Sequence, residues 1–169
     1  NAGNSITAGG NFNTVVGDEA GTAITTGDKN VAVGFEALKA NTTAGNNTAV
    51  GYNALLANTE GFSNTAFGSR AGDAITTGDA NTALGNLALS AETTGARSVA
   101  IGNGALSNQN STDSADMYNV AVGADAGASV TTGTGNTLIG GLAGDAITTG
   151  INNTALGKSA LGVNTTANN

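Results

Sequence analysis

The chain has 169 residues and a formal net charge of −7, and it contains no His, Cys, Trp or Pro. Without imidazole or thiol groups it has no His base, no Cys nucleophile and none of the usual ligands for zinc or copper, so we expect no enzyme, no cofactor and no metal site. The basic residues are scattered singly among 12 acids, which excludes a patch for nucleic acid: Lys29, Lys39, Arg70, Arg97 and Lys158.

A repeat of 17 residues organises the whole chain. A partial unit at 1–12 is followed by nine units, at 13–29, 30–46, 47–63, 64–80, 81–97, 98–118, 119–135, 136–152 and 153–169. Each unit opens with Asn except the sixth, which opens with Ser98 and is four residues longer. We number positions within a unit from 1 at this residue. One such unit cannot bury a core alone, so the repeat predicts a single all-β domain over 1–169, a parallel β-solenoid (β-roll) of about nine 17-residue coils.

Each unit begins with a pattern typical of a short β-strand. Position 2 is Thr or Val, position 3 is mostly Ala, position 4 is a larger apolar residue and position 5 is always Gly. Positions 2 and 4 share one face of such a strand, and position 3 lies on the other. We interpret position 4 as the buried core row: Val16, Val33, Val50, Phe67, Leu84, Ile101, Val122, Ile139 and Leu156.

Position 3 should then point outwards: Val15, Ala32, Ala49, Ala66, Ala83, Ala100, Ala121, Leu138 and Ala155. A row that faces water has no reason to be small and apolar, whereas a row pressed against a neighbouring chain does. The Ala row therefore predicts contact between chains, unless turns of the same chain cover it.

Positions 9 and 12 vary together in the second half of each unit. Where position 9 is Gly, position 12 is Ile or Val, and where position 9 is Leu, position 12 is polar. This indicates that one aliphatic side chain per coil fills a shared interior volume, because two would overpack it and none would leave a cavity. A shift in register between the two kinds of unit explains the pattern equally well.

Two polar rows have a structural and a functional interpretation. The Asn residues at position 1 could form a ladder of amide-to-amide hydrogen bonds that Ser98 interrupts. Thr is frequent at positions 13 and 14, where stacked hydroxyls and methyls could form an ice-binding face, or could simply cap the turn that follows. The Thr rows contain Thr25, Thr26, Thr42, Thr43, Thr59, Thr76, Thr77, Thr93, Thr94, Thr131, Thr132, Thr148, Thr149, Thr165 and Thr166.

The four-residue insertion in the sixth unit is the candidate for a specific contact. Insertions in repeat proteins form surface loops on one side, where binding residues concentrate. Its carboxylates lack the dense spacing of oxygen ligands that calcium loops have, and a simple solvated insertion is the alternative. The candidate binding residues are Asn110, Ser111, Thr112, Asp113, Asp116, Met117 and Tyr118.

The strings NTAVGYNAL, NVAVGFEAL and SVAIGNGAL, which begin at Asn47, Asn30 and Ser98, resemble the head repeats of trimeric autotransporter adhesins. They are also similar to repeats of phage tail-fibre proteins. The resemblance implies a left-handed parallel β-roll in which three chains associate around a common axis on a cell or virion surface. It implies a structural and adhesive function, a homotrimer, and a host-surface receptor or glycan as partner. The adhesin repeat is shorter than 17 residues, and this segment shows neither a coiled-coil stalk nor a membrane anchor.

The sequence also bears on location. The apolar stretches are three or four residues long, far short of a bilayer span, so we expect no membrane insertion by this segment. No charged start followed by an apolar core marks a signal peptide. Because the chain begins inside a repeat and without Met, we expect it to be a piece of a longer extracellular protein whose export signal lies elsewhere.

Overall fold

The chain forms one parallel β-sheet in which successive coils stack on each other. The computed structural model describes residues 1–7, 9–166 and 168, and within these ranges it contains nine strands and no helix. Strand order in the sheet follows chain order, and every neighbouring pair is parallel. The predicted all-β parallel solenoid is confirmed. The strands are β1 Thr14–Val16, β2 Val31–Val33, β3 Thr48–Val50, β4 Thr65–Phe67, β5 Thr82–Leu84, β6 Val99–Ile101, β7 Val120–Val122, β8 Thr137–Ile139 and β9 Thr154–Leu156.

The register of the sheet follows the repeat. Thr48 pairs with Thr65 and Ala49 with Ala66, so equivalent positions lie side by side. Val99 pairs with Val120 across the longer unit in the same equivalent register. The extra residues therefore leave the sheet undisturbed and form a loop outside it.

The middle residue of each strand faces the interior, so the prediction that position 4 is the buried row is wrong. Ala49, Ala66 and Ala100 at position 3 are fully buried, whereas Phe67 and Leu84 at position 4 are 54% and 43% exposed. Both rows are apolar, so alternation alone could not tell which one faces inwards. The coil is narrow, so small side chains occupy most of the places where the strand passes over its interior.

Ala at position 8 and one aliphatic side chain complete the interior. Leu38 and Leu55 at position 9 are fully buried, and so are Ile24 and Ile75 at position 12 in the Gly-type coils. A Cβ atom added to Gly72 would lie 3.0 Å from Cδ1 of Ile75. The two positions thus supply the same volume, as the sequence pattern predicted.

A change of register between the two kinds of coil is excluded. Position 9 donates its backbone N–H to the carbonyl of position 8 in the next coil whether it is Gly, as in Gly72 to Ala88, or Leu, as in Leu55 to Ala71. Its backbone is left-handed in both cases, with φ of +57° at Gly72 and +50° at Leu55. The Leu coils therefore accept a conformation that L-residues disfavour in order to fill the interior.

The two large residues at position 3 use space that a glycine at position 9 leaves free. Val15 and Leu138 both lie in coils whose position 9 is Gly. A Cβ at Gly21 would lie 2.8 Å from Cγ1 of Val15, and one at Gly144 would lie 2.6 Å from Cδ2 of Leu138. The larger side chains at position 3 therefore occur only where a glycine leaves room for them, although the other two Gly coils keep Ala66 and Ala121 there.

Gly at position 5 is required by both conformation and space. Its φ lies between +119° and +142° in all nine coils, a region that L-residues with a side chain rarely adopt. At Gly34 an added Cβ would also overlap the carbonyl oxygen of Gly51 in the next coil. The strand therefore ends at this residue.

The Asn row at position 1 binds backbone more than it binds neighbouring amides. Asn64 Nδ2 donates to the carbonyl of Gly78 in its own coil (2.7 Å), and Asn64 Oδ1 accepts from the backbone N–H of Asn81 in the next coil (2.9 Å). Direct amide-to-amide bonds add to this near the C-terminal end, for example Asn136 Nδ2 to Asn119 Oδ1 (3.1 Å). From Asn13 to Asn136, each Asn at position 1 closes its own coil and joins it to the next, which corrects the predicted amide ladder.

The partial unit at the N-terminal end of the chain also pairs a glycine with an aliphatic residue three positions later, but in a shifted register. Gly3 has a φ of +58° and donates its N–H to the carbonyl of Ala20, and a Cβ at Gly3 would lie 3.0 Å from Cδ1 of Ile6. Gly3 and Ile6 are thus the equivalents of Gly21 and Ile24, 18 residues earlier rather than 17. The shift of one residue hides the pair from a search at the fixed period.

Candidate interaction surfaces

The outer face of the sheet is a regular surface that repeats in all nine coils. We call it the sheet face and define it by positions 2 and 4 of the nine strands. Position 2 contains only Thr or Val, and position 4 only Val, Ile, Leu or Phe, so no charged group or amide occurs at any of these positions. Side chains on it are half-buried or exposed. With coils spaced by about 4.8 Å, the sheet face is about 40 Å long.

The predicted binding loop, residues 110–118, divides into accessible and buried residues. Thr112, Asp113, Asp116 and Tyr118 are exposed, Asn110 is half-buried, and Ser111 and Met117 are buried. The loop leaves the coil after Ser111 and returns at Asp116, which pairs with Ala96 of the preceding coil. Met117 is therefore almost wholly interior, and it reaches the surface only as part of the wall of a small pocket beside the loop.

The base of the loop is held by a buried carboxylate. Glu92, at position 12 and fully buried, accepts backbone N–H bonds through Oε1 from Thr93 (2.9 Å), Gly95 (2.7 Å) and Ser111 (3.1 Å). Its Oε2 accepts from Gln109 Nε2 at 2.8 Å. These backbone and side-chain donors around one carboxylate satisfy a charge that burial would otherwise disfavour.

Gln109 also repairs the Asn row where Ser98 interrupts it. Ser98 still donates its backbone N–H to Asn81 Oδ1 (2.9 Å), but its short side chain cannot reach the next coil as Asn does. Gln109 bridges the gap, because Nε2 lies 2.9 Å from Ser98 Oγ and Oε1 accepts from Asn119 Nδ2 at 2.8 Å. The predicted interruption is therefore real, and the polar residue at position 12 compensates for it.

The exposed part of the loop carries a small cluster and a small pocket. Arg97 forms an ion pair with Asp116, and its guanidinium lies 5.9 Å from the centre of the Tyr118 ring. Hydrogen bonding to Asp116 raises the pKa of Arg97. The same loop also borders a pocket of about 150 Å³, lined in part by Ser111, Asp113, Met117 and Thr132. In it, Ser111 Oγ donates to Asp113 Oδ1 (3.0 Å).

The two Thr rows differ in the use of their hydroxyls. At position 13, Thr76 Oγ1 donates to the carbonyl of Thr93 in the next coil (3.1 Å), and Thr59 and Thr148 make the equivalent bonds. These hydroxyls join successive coils, so their role is structural, but they do not cap the turn that follows as the structural interpretation expected. At position 14, most Thr side chains are exposed, but Glu60 occupies the third coil and the insertion loop begins in the sixth.

The charged residues form local pairs on the surface. Lys39 Nζ lies 2.6 Å from Glu36 Oε1 and also pairs with Glu19 in the preceding coil. Hydrogen bonds to Glu19 and then Glu36 raise the pKa of Lys39 above its ordinary value. Arg70 Nε lies 2.7 Å from Asp73 Oδ2. The Lys39 pairs are partly exposed and contribute little to stability, whereas Asp73, the partner of Arg70, is buried.

Metal-ligating clusters and membrane-spanning helices are both absent from residues 1–7, 9–166 and 168. These residues bring together no group of three or more His, Cys, Asp or Glu side chains that could hold a metal ion. The same ranges include no helix long and apolar enough to cross a membrane.

Comparison with protein-family models, with curated proteins and with solved structures finds no match for this chain. Its function must therefore be inferred from its own surfaces.

Proposed function

We propose that this chain is a structural and adhesive segment of an extracellular fibre or surface adhesin, whether on a cell or a virion, and that its sheet face packs against further copies of the same chain. The observation that carries the proposal is that both outer rows of all nine strands lack charged residues. A row exposed to water has no physical reason to exclude Lys, Glu and Asn from every coil. A surface buried between chains has that reason, because charged residues are depleted at interface cores.

A second copy is the partner whose surface matches the sheet face best. Side chains on this face recur at the spacing of the coils, from Val16 at one end to Leu156 at the other. A contact that repeats in step over about 40 Å requires a partner with the same spacing, which another copy possesses. The resemblance to adhesin head repeats favours three chains around one axis, with the exposed insertion loop directed at a receptor.

Position 3 does not provide the contact between chains that its Ala row predicted. Ala66 and Ala83 are covered by their own chain, so their small size reflects the narrow interior. The outward row is position 4, where Phe67 and Leu84 expose much of their side chains. The proposal of an oligomer therefore depends on the other face of the strand.

The test places charge on the sheet face without touching the interior. We expect the double variant Phe67→Glu with Leu84→Glu to remain folded by circular dichroism and to have a lower mass than the wild type by light scattering. Buried like charges in a symmetric contact repel each other and lose hydration, which opposes association. The matched control is Thr43→Glu with Thr77→Glu, at position 14, where Glu60 already occurs.

The control should keep the wild-type mass. Equal masses for the wild type and the Phe67→Glu, Leu84→Glu variant, with both folded, would contradict packing through the sheet face. A change of mass in the control alone would assign the contact to the Thr rows instead.

Ice binding remains the alternative function, because the Thr side chains at position 14 form an exposed row. The bonds of the position 13 hydroxyls to backbone and the presence of Glu60 favour a structural role for these rows. Thermal hysteresis of the wild-type protein separates the two functions. The adhesin proposal predicts none, whereas a hysteresis that Thr77→Glu abolishes would support ice binding.

A further inference from the structure

A row of side chains at position 6, just beyond the Gly turn, changes character along the solenoid. Phe35 and Tyr52 come from adjacent coils and stack face to face, with ring centroids 5.6 Å apart and planes inclined by 9°. The two side chains are 41% and 53% exposed. The next two coils place Ser69 and then Asn86 in the same row. The stack of rings therefore stops while the row continues.

Because the stack of rings ends at Tyr52, the outer face of the Tyr52 ring lies next to a small residue, Ser69. Coils are spaced by about 4.8 Å, so a ring in the fourth coil would continue the stack over Tyr52. Ser69 has only a hydroxyl at that place, and its backbone carbonyl accepts from Asn86 Nδ2 at 3.2 Å. The space above Ser69 is thus bounded by an aromatic face on one side and by amides on the other.

Those amides keep capacity for further hydrogen bonds. Asn103 Nδ2 donates to Asn86 Oδ1 at 3.1 Å, and both residues are exposed. An amide has two N–H donors and an oxygen with two lone pairs, so one bond to Ser69 and one between the amides leave donors and acceptors directed at solvent. Charge is absent from this stretch of the row, and the nearest cation along the chain, Arg70, is paired with Asp73.

We propose that the surface formed by Tyr52, Ser69, Asn86 and Asn103 binds a neutral pyranose unit of a glycan. A pyranose has an apolar face of C–H groups, which stacks on an aromatic ring, and a rim of hydroxyls, which exchange hydrogen bonds with amides. An aromatic ligand would use the ring of Tyr52 but leave the amides without partners. An acidic sugar would find no free cation here and would meet a chain of net charge −7.

This inference deepens the proposed adhesive function and depends on it for its biological meaning. The site is a single stacking face with a few polar groups, so we expect millimolar affinity for one sugar unit and tighter binding for a multivalent glycan on an oligomer.

The test uses tyrosine emission, because the chain has two Tyr and no Trp. In a Tyr118→Phe background the signal comes from Tyr52 alone. The probes are the methyl glycosides of β-galactose, α-mannose and β-glucose, and free N-acetylglucosamine, each titrated to saturation or to the limit of solubility. We expect saturable binding of at least one probe, and at least a tenfold loss in Ser69→Phe, whose ring would continue the stack and fill the space.

A matched control adds a ring elsewhere in the same row. Ala124→Phe, at position 6 of the seventh coil, should retain the wild-type affinity. The absence of saturable binding by all four probes would overturn the proposal, and so would equal affinity in Ser69→Phe and wild type. A change of mass in Ser69→Phe, measured by light scattering, would assign this surface to contact with a second copy and also overturn it.

The proposal of an oligomer and the proposal of a glycan site can fail independently. A wild-type protein that is oligomeric but binds none of the probes would contradict the glycan site and leave the oligomer. A monomer that binds a probe through Tyr52 would do the reverse.

Discussion

Gly72 and Ile75 share one interior volume, because a Cβ added at Gly72 would lie 3.0 Å from Cδ1 of Ile75 and 3.2 Å from Cδ2 of Leu55. The rule that links positions 9 and 12 in the sequence is therefore a packing rule.

Gly72→Leu alone should overpack the fourth coil and lower the free energy of unfolding by about 1 to 3 kcal/mol. Adding Ile75→Asn should recover much of this loss, because the pair Leu55 and Asn58 already occupies the equivalent positions in the third coil. Recovery should be incomplete, since a left-handed Leu costs roughly 1 kcal/mol more than Gly. Chemical denaturation measures the free energy of unfolding of the single and of the double variant. A double variant no more stable than the single one would contradict the shared volume.

Substitutions at Ala66 and Phe67 test which face of the strand points into the interior. Ala66→Glu should destabilise the fold by about 3 kcal/mol or more, because it buries an unpaired charge in the interior. Phe67→Glu, at the next residue, should leave the fold intact. Thermal unfolding followed by circular dichroism compares the two. Similar melting temperatures would mean that position 3 does not face the interior.

Asn64 tests the role of the Asn row. Replacing Asn64 by Ala removes the partner of the Gly78 carbonyl and of the Asn81 N–H, and Asn81 is buried. Each orphaned group costs about 1 to 3 kcal/mol, so the total loss of unfolding free energy should exceed that of an ordinary surface substitution. Asn86→Ala, an exposed Asn in the next coil, is the control and should change stability by less than about 0.5 kcal/mol. A loss of similar size at both sites would remove the special role of position 1.

The pair formed by Glu92 and Gln109 provides a reciprocal test. Glu92→Gln should cost about 1 to 3 kcal/mol, because the new amide N–H₂ could face Gln109 Nε2, the donor that lies 2.8 Å from Glu92 Oε2. Gln109→Glu alone should be worse, because it places two buried carboxylates together. In the double variant, the amide introduced at residue 92 would donate to the new carboxylate at residue 109, which could also accept from Ser98 and Asn119.

The double variant should therefore be more stable than the sum of the two single losses allows, with a coupling energy of about 0.5 to 3 kcal/mol in a double-mutant cycle measured by chemical denaturation. Additive losses would show that the two side chains do not interact.

Much of this fold could be predicted from the sequence because each coil repeats the same constraints. The invariant Gly at position 5 and the apolar residues before it marked the strand in all nine units. The pairing of Gly21 with Ile24 and of Leu38 with Asn41 predicted a shared interior, which the burial of Ile24 and Leu38 confirms.

Which face of the strand points into the interior could not be predicted in the same way. Ala66 and Phe67 are both apolar, and the larger residue is ordinarily the buried one. Here the narrow coil reverses that preference, which a pattern of alternation does not express. The network of Glu92, Ser98 and Gln109 was also missed, although one signal was present: Ser98 breaks the Asn row in the unit whose position 12 is Gln, and the preceding unit has Glu there.

We propose that other copies of this chain cover the uncharged sheet face, and native mass spectrometry of the wild-type protein at micromolar concentration tests this. We expect a complex of about three times the chain mass of 16.1 kDa, which falls to the single-chain mass in the Phe67→Glu, Leu84→Glu variant. A folded wild type that has the mass of one chain at every concentration measured would contradict the claim.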